Sequence, residues 1–166
     1  MRWVSLLVIL ILGVIAGLVI LHNDFDKKQF YFAAISLIYL MILGTIVFTP
    51  VSINGLTVLI TPKGIGRVNL TQLSINEVGY YENIILTIPL GMLLKFHWSK
   101  LSVILVTFLG MLVSVGIETI QYFLSHWLLI DRTSDINDVL ANTTGVLLGA
   151  IIIVSYRYLT KQKTDL

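Results

Sequence analysis

Residues 118–149 read ETIQYFLSHWLLIDRTSDINDVLANTTGVLLG. Two apolar segments of membrane-span character meet here, yet Glu118, Gln121, Arg132, Asp135, Asp138 and Asn142 stand between and inside them. Ionisable groups are costly in hydrocarbon, so several gathered near one membrane level mark a functional site by default. The stretch therefore predicts both an all-α membrane bundle and the place in it where chemistry is concentrated.

Spacing gives that place a shape. Gly110, Ser114, Glu118 and Gln121 share one face of the first segment, and Asp135, Asp138, Asn142, Gly145 and Gly149 share one face of the second. Small residues at such intervals let helices approach closely, and polar side chains bond across the seam. Counting six residues inward from Leu124 and from Ile136 puts Glu118 level with Asn142, about 9 Å inside the outer end. Ser114 and Gly110 then fall opposite Gly145 and Gly149.

The remainder of the chain is of the same class. Of 166 residues, 57% are hydrophobic and 12% charged, with a mean hydropathy of +0.93, far from soluble domains. No second domain or internal repeat is visible, so residues 1–166 read as a single transmembrane domain. The absence of cysteine excludes disulfides and thiolate chemistry. A formal charge of +2 with no basic face left over excludes nucleic acid as a partner.

Apolar runs at 3–21 and 30–48 each have the length that a bilayer core of about 30 Å requires. The first reads as a span, not a cleaved leader, because Arg2 stands alone before it and no small-residue cleavage pattern follows. Residues 51–77 form one outer loop region, with turn signals at Asn54-Gly55 and Pro62-Lys63-Gly64 and a strand-like alternation of Leu56, Val58 and Ile60. Further spans follow at 78–96, kinked at Pro89, at 101–124 and at 135–159, giving about five. With the N-terminus outside, Lys27, Lys28, Lys95, Lys100, Arg157, Lys161 and Lys163 face inward, against Arg2, Lys63, Arg67 and Arg132 outward. Seven against four favours that orientation, with the C-terminus cytoplasmic.

Several residues admit plainer roles. Asp135 or Ser134 suits a helix cap, and Asp138 suits the first turn, where negative charge complements the helix dipole. Gly145-x-x-x-Gly149 suits simple packing, and Arg132 suits an interfacial anchor or a partner for Asp135. Asn83 either joins Thr87 on a pocket wall or only starts its helix. Glu118 has no capping explanation.

Four pieces together resemble the VanZ-like family, associated with teicoplanin resistance: Arg67 with Asn69-Leu70-Thr71, Asn83 to Gly91, Glu118-Thr-Ile-Gln121, and Arg132-x-x-Asp135-x-x-Asp138 through Asn142 to Gly149. The resemblance implies a small helical membrane protein whose motifs meet at one membrane face. Its core covers about 67–159, with 3–21 and 30–48 as additional N-terminal spans. Gln72 departs from it, standing where proline is frequent.

On this basis the expected function is binding of, or action on, a cell-envelope molecule, a lipid-linked cell-wall precursor or a glycopeptide, with membrane lipid as the surrounding partner. Glu118, Asp135 and Asp138 are the candidate catalytic acids, Glu118 foremost as general acid or base. Arg132, Gln121, Asn142, Asn83 and Arg67 are the candidate binding residues. Carboxylate oxygen suits a divalent cation such as Mg²⁺ or Mn²⁺, but the ligand count does not assign one. Two other classes compete: transport of an ion or small solute along the acidic seam, and a non-catalytic sensing or structural protein.

Overall fold

The computed structural model describes residues 1–54 and 56–164. The Asn54-Gly55 turn therefore falls partly outside the described residues, as do the side chains of Lys161 and Lys163. Among the described residues five helices form: α1 Val4–His22, α2 Lys27–Phe48, α3 Val78–His97, α4 Val103–Leu128 and α5 Ile136–Thr164. A hairpin of β1 Val51–Asn54 and β2 Thr57–Ile60 follows α2, and the two-residue strands β3 Val68–Asn69 and β4 Ser134–Asp135 pair in parallel.

Four of these helices, α1, α2, α4 and α5, are long and apolar enough to cross a membrane. The sequence predicted five spans. The fifth helix, α3, is present with 20 residues, but it carries Glu82, Asn83, Lys95 and His97 and buries Thr87, Gly91 and Lys95. Its polar residues answer to protein neighbours, which lowers its hydropathy. The helix continues through Pro89.

The chain divides into two compact units. The first comprises Met1–Arg67 and Ile120–Thr133, the second Val68–Thr119 and Ser134–Leu166. Helix α4 contributes to both.

In the first unit, α1 and α2 are joined by a short turn in which the Asp26 side chain accepts from Gln29 N and Gln29 Oε1 accepts from Asp26 N, a capping box that fixes where α2 begins. The hairpin pairs Val51 with Ile60 and Asn54 with Thr57, and all of β2 is exposed. The loop after α4 is shaped by left-handed residues Leu129 and Asp131. Asp131 N donates to Gly64 O, and Gly66 N donates to Asp131 Oδ1. Gly66 has φ +69°, and a Cβ there would lie 1.8 Å from Arg132 O, so this turn needs glycine twice over.

In the second unit, α3 and α5 run parallel and touch backbone to backbone. A Cβ on Gly145 would lie 2.4 Å from Ile84 O, one on Gly149 2.1 Å from Ile88 O, and one on Gly91 2.2 Å from Val146 O. Helix α4 runs antiparallel to α5, its Gly110 under the Val146 side chain. Val106, Val146 and Ala150 are fully buried between these helices. The glycines of α5 thus serve α3, whereas the sequence reading paired them with α4. At about 100° per residue, Asp138, Gly145 and Gly149 lie on one side of Asn142, and Val146 and Ala150 on the other. The spacing predicts one stripe on the helix, and the structure has two adjoining ones.

Candidate functional site

The polar residues of the second unit gather where β3, β4 and the first turn of α5 meet α3 and α4. Asp135 caps α5: its Oδ1 accepts from Asn137 N at 2.8 Å and from Asn137 Nδ2 at 2.7 Å. The same oxygen accepts from Asn69 Nδ2 at 3.0 Å, while the Asp135 main-chain N–H donates to Glu118 Oε2 at 2.8 Å. Ser134 Oγ donates to Glu118 O at 3.0 Å. Both the side chain and the main chain of Glu118 are thus tied to the entry of α5, and the residue is only 8% exposed.

Asn69 binds its own turn, accepting from Thr71 N and Gln72 N and donating to Gln72 O, an Asx arrangement that substitutes for regular pairing. Gln72 N–H is used here at 2.9 Å, a bond that a proline at this position has no hydrogen to make. Asn137, 5% exposed, completes the enclosure by donating to Gln72 O and accepting from Ser74 N.

Deeper in the unit, Asn83 Nδ2 donates to Asp138 Oδ1 at 2.7 Å. Thr87 Oγ1 donates to Asn142 O at 3.2 Å, and Asn142 Nδ2 donates to Ser114 Oγ at 2.9 Å. Asn142 therefore joins three helices from the border between the two stripes of α5. The counted register predicted that Asn142 would lie level with Glu118. Ser114 takes that place, one turn earlier in α4, because α5 does not start level with the end of α4: Ser134 and Asp135 meet Glu118, ten residues before Leu128.

Gln121 and Arg132 belong to the first unit. Gln121 Nε2 donates to Val47 O at 3.0 Å. Arg132 donates through Nε to Thr49 O at 3.2 Å and through Nη2 to Ile46 O and Val51 O. These carbonyls lie in or just after the last turn of α2, where helical partners run out and a cation complements the dipole. Ser125 Oγ accepts from Arg132 N and donates to Arg132 O, which commits this serine to structure beside His126, whose Nδ1 meets Tyr122 O. Arg67 is exposed at the end of this unit.

Of the sequence candidates, then, the second unit brings together Glu118, Asp135, Asp138, Asn83 and Asn142. Asn137 was not among them, since it lies off the face traced through Asp135, Asp138 and Asn142; its signal was its place immediately after a helix-capping aspartate. Among the described residues, no group of three or more His, Asp or Glu side chains is arranged to hold a metal ion.

The fold and the cluster define a class: a helical membrane protein with a built network of carboxylates and amides at one end of a three-helix unit. A family model described as VanZ/LLP1 matches residues 32–157, most of the chain. The chain belongs to the VanZ/LLP1 family. The match takes in most of α2 along with all the motifs from Arg67 to Gly149, and leaves α1 outside it. Neither the curated proteins nor the solved structures contain a match to the chain.

Proposed function

We propose that the polar cluster of the second unit binds a cell-envelope molecule from the outer side of the membrane, a lipid-linked cell-wall precursor or a glycopeptide, and so contributes to glycopeptide tolerance. The observation that carries this reading is Glu118, a buried carboxylate inside α4 whose Oε2 is oriented by Asp135 N–H. Asp138, positioned by Asn83, supplies a second carboxylate. Together they offer strong acceptors to the hydroxyl, amide and ammonium donors that such ligands carry. If the bound molecule is also transformed, Glu118 is the general acid or base and Asp138 the second acid, while Asp135 positions Glu118.

Glycopeptide tolerance itself is what the VanZ likeness suggests, and the cluster supplies a chemically suitable place for it. A transport reading fits less well. Below Asn142 the described residues packed between the helices are Gly110 under Val146 and the fully buried Val106, Val146 and Ala150, an apolar stretch between the cluster and the buried Lys95.

The test is a binding screen of purified protein against envelope lipids and glycopeptides, with Glu118→Gln and Asp138→Asn as controls and helix content verified. A loss of tenfold or more in affinity, about 1.4 kcal/mol, is expected in each folded variant. Binding that is undiminished in both variants, or absent from the unaltered protein, removes the proposal.

A further inference from the structure

The first unit encloses a second feature, chemically unlike the polar cluster. A cavity of about 490 Å³ lies between α1, α2 and the last turns of α4, its walls formed by Val8, Leu12, Ala16, Leu37, Met41 and Leu124 among others. Among the described residues that line it, Ser5 is the one with a polar side chain. Ser5 is 8% exposed, and its Oγ is buried without a hydrogen-bond partner.

Three residues before Ser5 stands Arg2. Its Nη2 donates to Thr61 O at 2.6 Å and Pro62 O at 2.8 Å, while its Nε is buried and unpartnered. No carboxylate lies within ion-pair distance of Arg2 among the described residues. Ser5, with its unused hydroxyl donor, thus stands at one end of an otherwise apolar cavity, and the Arg2 guanidinium, one N–H of it unused, lies three residues earlier in the chain. The lining follows α1 from Val4 to Ala16, about 18 Å at about 1.5 Å per residue. One leaflet of a bilayer core is about 15 Å deep.

We infer that the first unit holds one anionic glycerophospholipid, an acyl chain in this cavity and the headgroup phosphate against Arg2 and Ser5. The length matches a single chain, the walls match its chemistry, and a phosphate is the acceptor chemistry suited to a hydroxyl and a guanidinium. A zwitterionic lipid matches the cavity equally well but brings a cation of its own to Arg2. This site is independent of any ligand at Glu118.

Native mass spectrometry of the full chain, purified and equilibrated with mixed micelles of phosphatidylglycerol or phosphatidylcholine bearing identical acyl chains, tests the inference. One phosphatidylglycerol is expected to be retained at least fivefold better than phosphatidylcholine. Ala16→Phe should lower retention of both lipids about fivefold by filling the cavity, and Arg2→Gln with Ser5→Ala should abolish the preference between them. Equal retention of the two lipids by the unaltered protein overturns the proposal, as does undiminished retention in a folded Ala16→Phe chain. Should those variants fail to fold, a phosphatidylglycerol with a photoactivatable acyl chain provides the second measurement on the unaltered protein. Crosslinks concentrated on α1 and α2 residues of the cavity support the site, and crosslinks spread over the outer faces of all helices overturn it.

Discussion

Asp135 Oδ1 accepts three bonds at once, from Asn69 Nδ2, Asn137 N and Asn137 Nδ2, and the residue's own N–H orients Glu118. Its side chain thus acts as a helix cap, whatever its charge does for a ligand. The two roles separate by substitution, because asparagine caps a helix about as well as aspartate, whereas alanine costs about 1 kcal/mol. Asp135→Ala is expected to lower the thermal stability of the purified protein and, through the freed entry of α5, to weaken ligand binding. Asp135→Asn is expected to keep the melting temperature within about a degree or two and most of the binding, since the Glu118 contact is a main-chain one. A folded, stable Asp135→Asn that binds nothing would instead place this carboxylate on the ligand itself. The sequence made the cap legible, since a Ser-Asp pair preceded a helical pattern. It did not show the threefold use of one oxygen, because Asn69 and Asn137 reach it across a turn and a two-residue strand pairing that no periodicity encodes.

At the scale of the element, α5 is the helix on which the second unit is built, and its glycines differ in role from the glycine at mid-α4. A Cβ on Gly149 would meet Ile88 O at 2.1 Å and Met92 N at 2.7 Å, and both are backbone atoms that cannot rotate away. Gly116 of α4 has nothing within 4 Å of its would-be Cβ. The same substitution should therefore have opposite signs. Gly149→Ala is expected to destabilise by about 1–3 kcal/mol, as overpacking does, and Gly116→Ala to be neutral or to stabilise by up to about 1 kcal/mol through helix propensity. Thermal or denaturant unfolding in detergent measures both; equal tolerance of the two would mean that α3 and α5 are not in backbone contact. All five helices were legible from long apolar runs, and the close-packing role of Gly145 and Gly149 from their spacing. The identity of the helix they face was not, since a stripe of small residues states that a neighbour comes close without stating which. The one-turn offset between Asn142 and Glu118 escaped for a similar reason. Counting inward from two helix ends assumes that they lie at one level, and Ser134 meets α4 ten residues before its end.

For the whole molecule, the question is how many times the chain crosses the membrane. Helix α3 is less apolar than the four candidate spans, yet it follows α5 in parallel from the Asn83–Asp138 bond through Thr87 and Asn142 to Gly91 and Val146. A helix in register with a span over that length shares its depth, so α3 is expected to cross as well. Lys95, buried at the far end, donates to Ser99 O and Leu101 O, and Arg157 donates to Phe96 O. That end is basic and the opposite end acidic, and Lys95 and Arg157 are two of the seven Lys and Arg residues counted on the expected inner face. Two of the four opposing residues have local explanations: Arg2 binds the carbonyls of Thr61 and Pro62, and Arg132 binds those closing α2. Because the chain has no cysteine, single replacements can report sidedness directly. Lys63→Cys is expected to react with a membrane-impermeant maleimide in intact cells, and Lys100→Cys only after permeabilisation. The reverse pattern would put the acidic cluster on the cytoplasmic side and deny it an extracellular ligand. Identical reactivity at both positions would mean that α3 does not cross, so that its pairing with α5 would have to form outside the hydrocarbon.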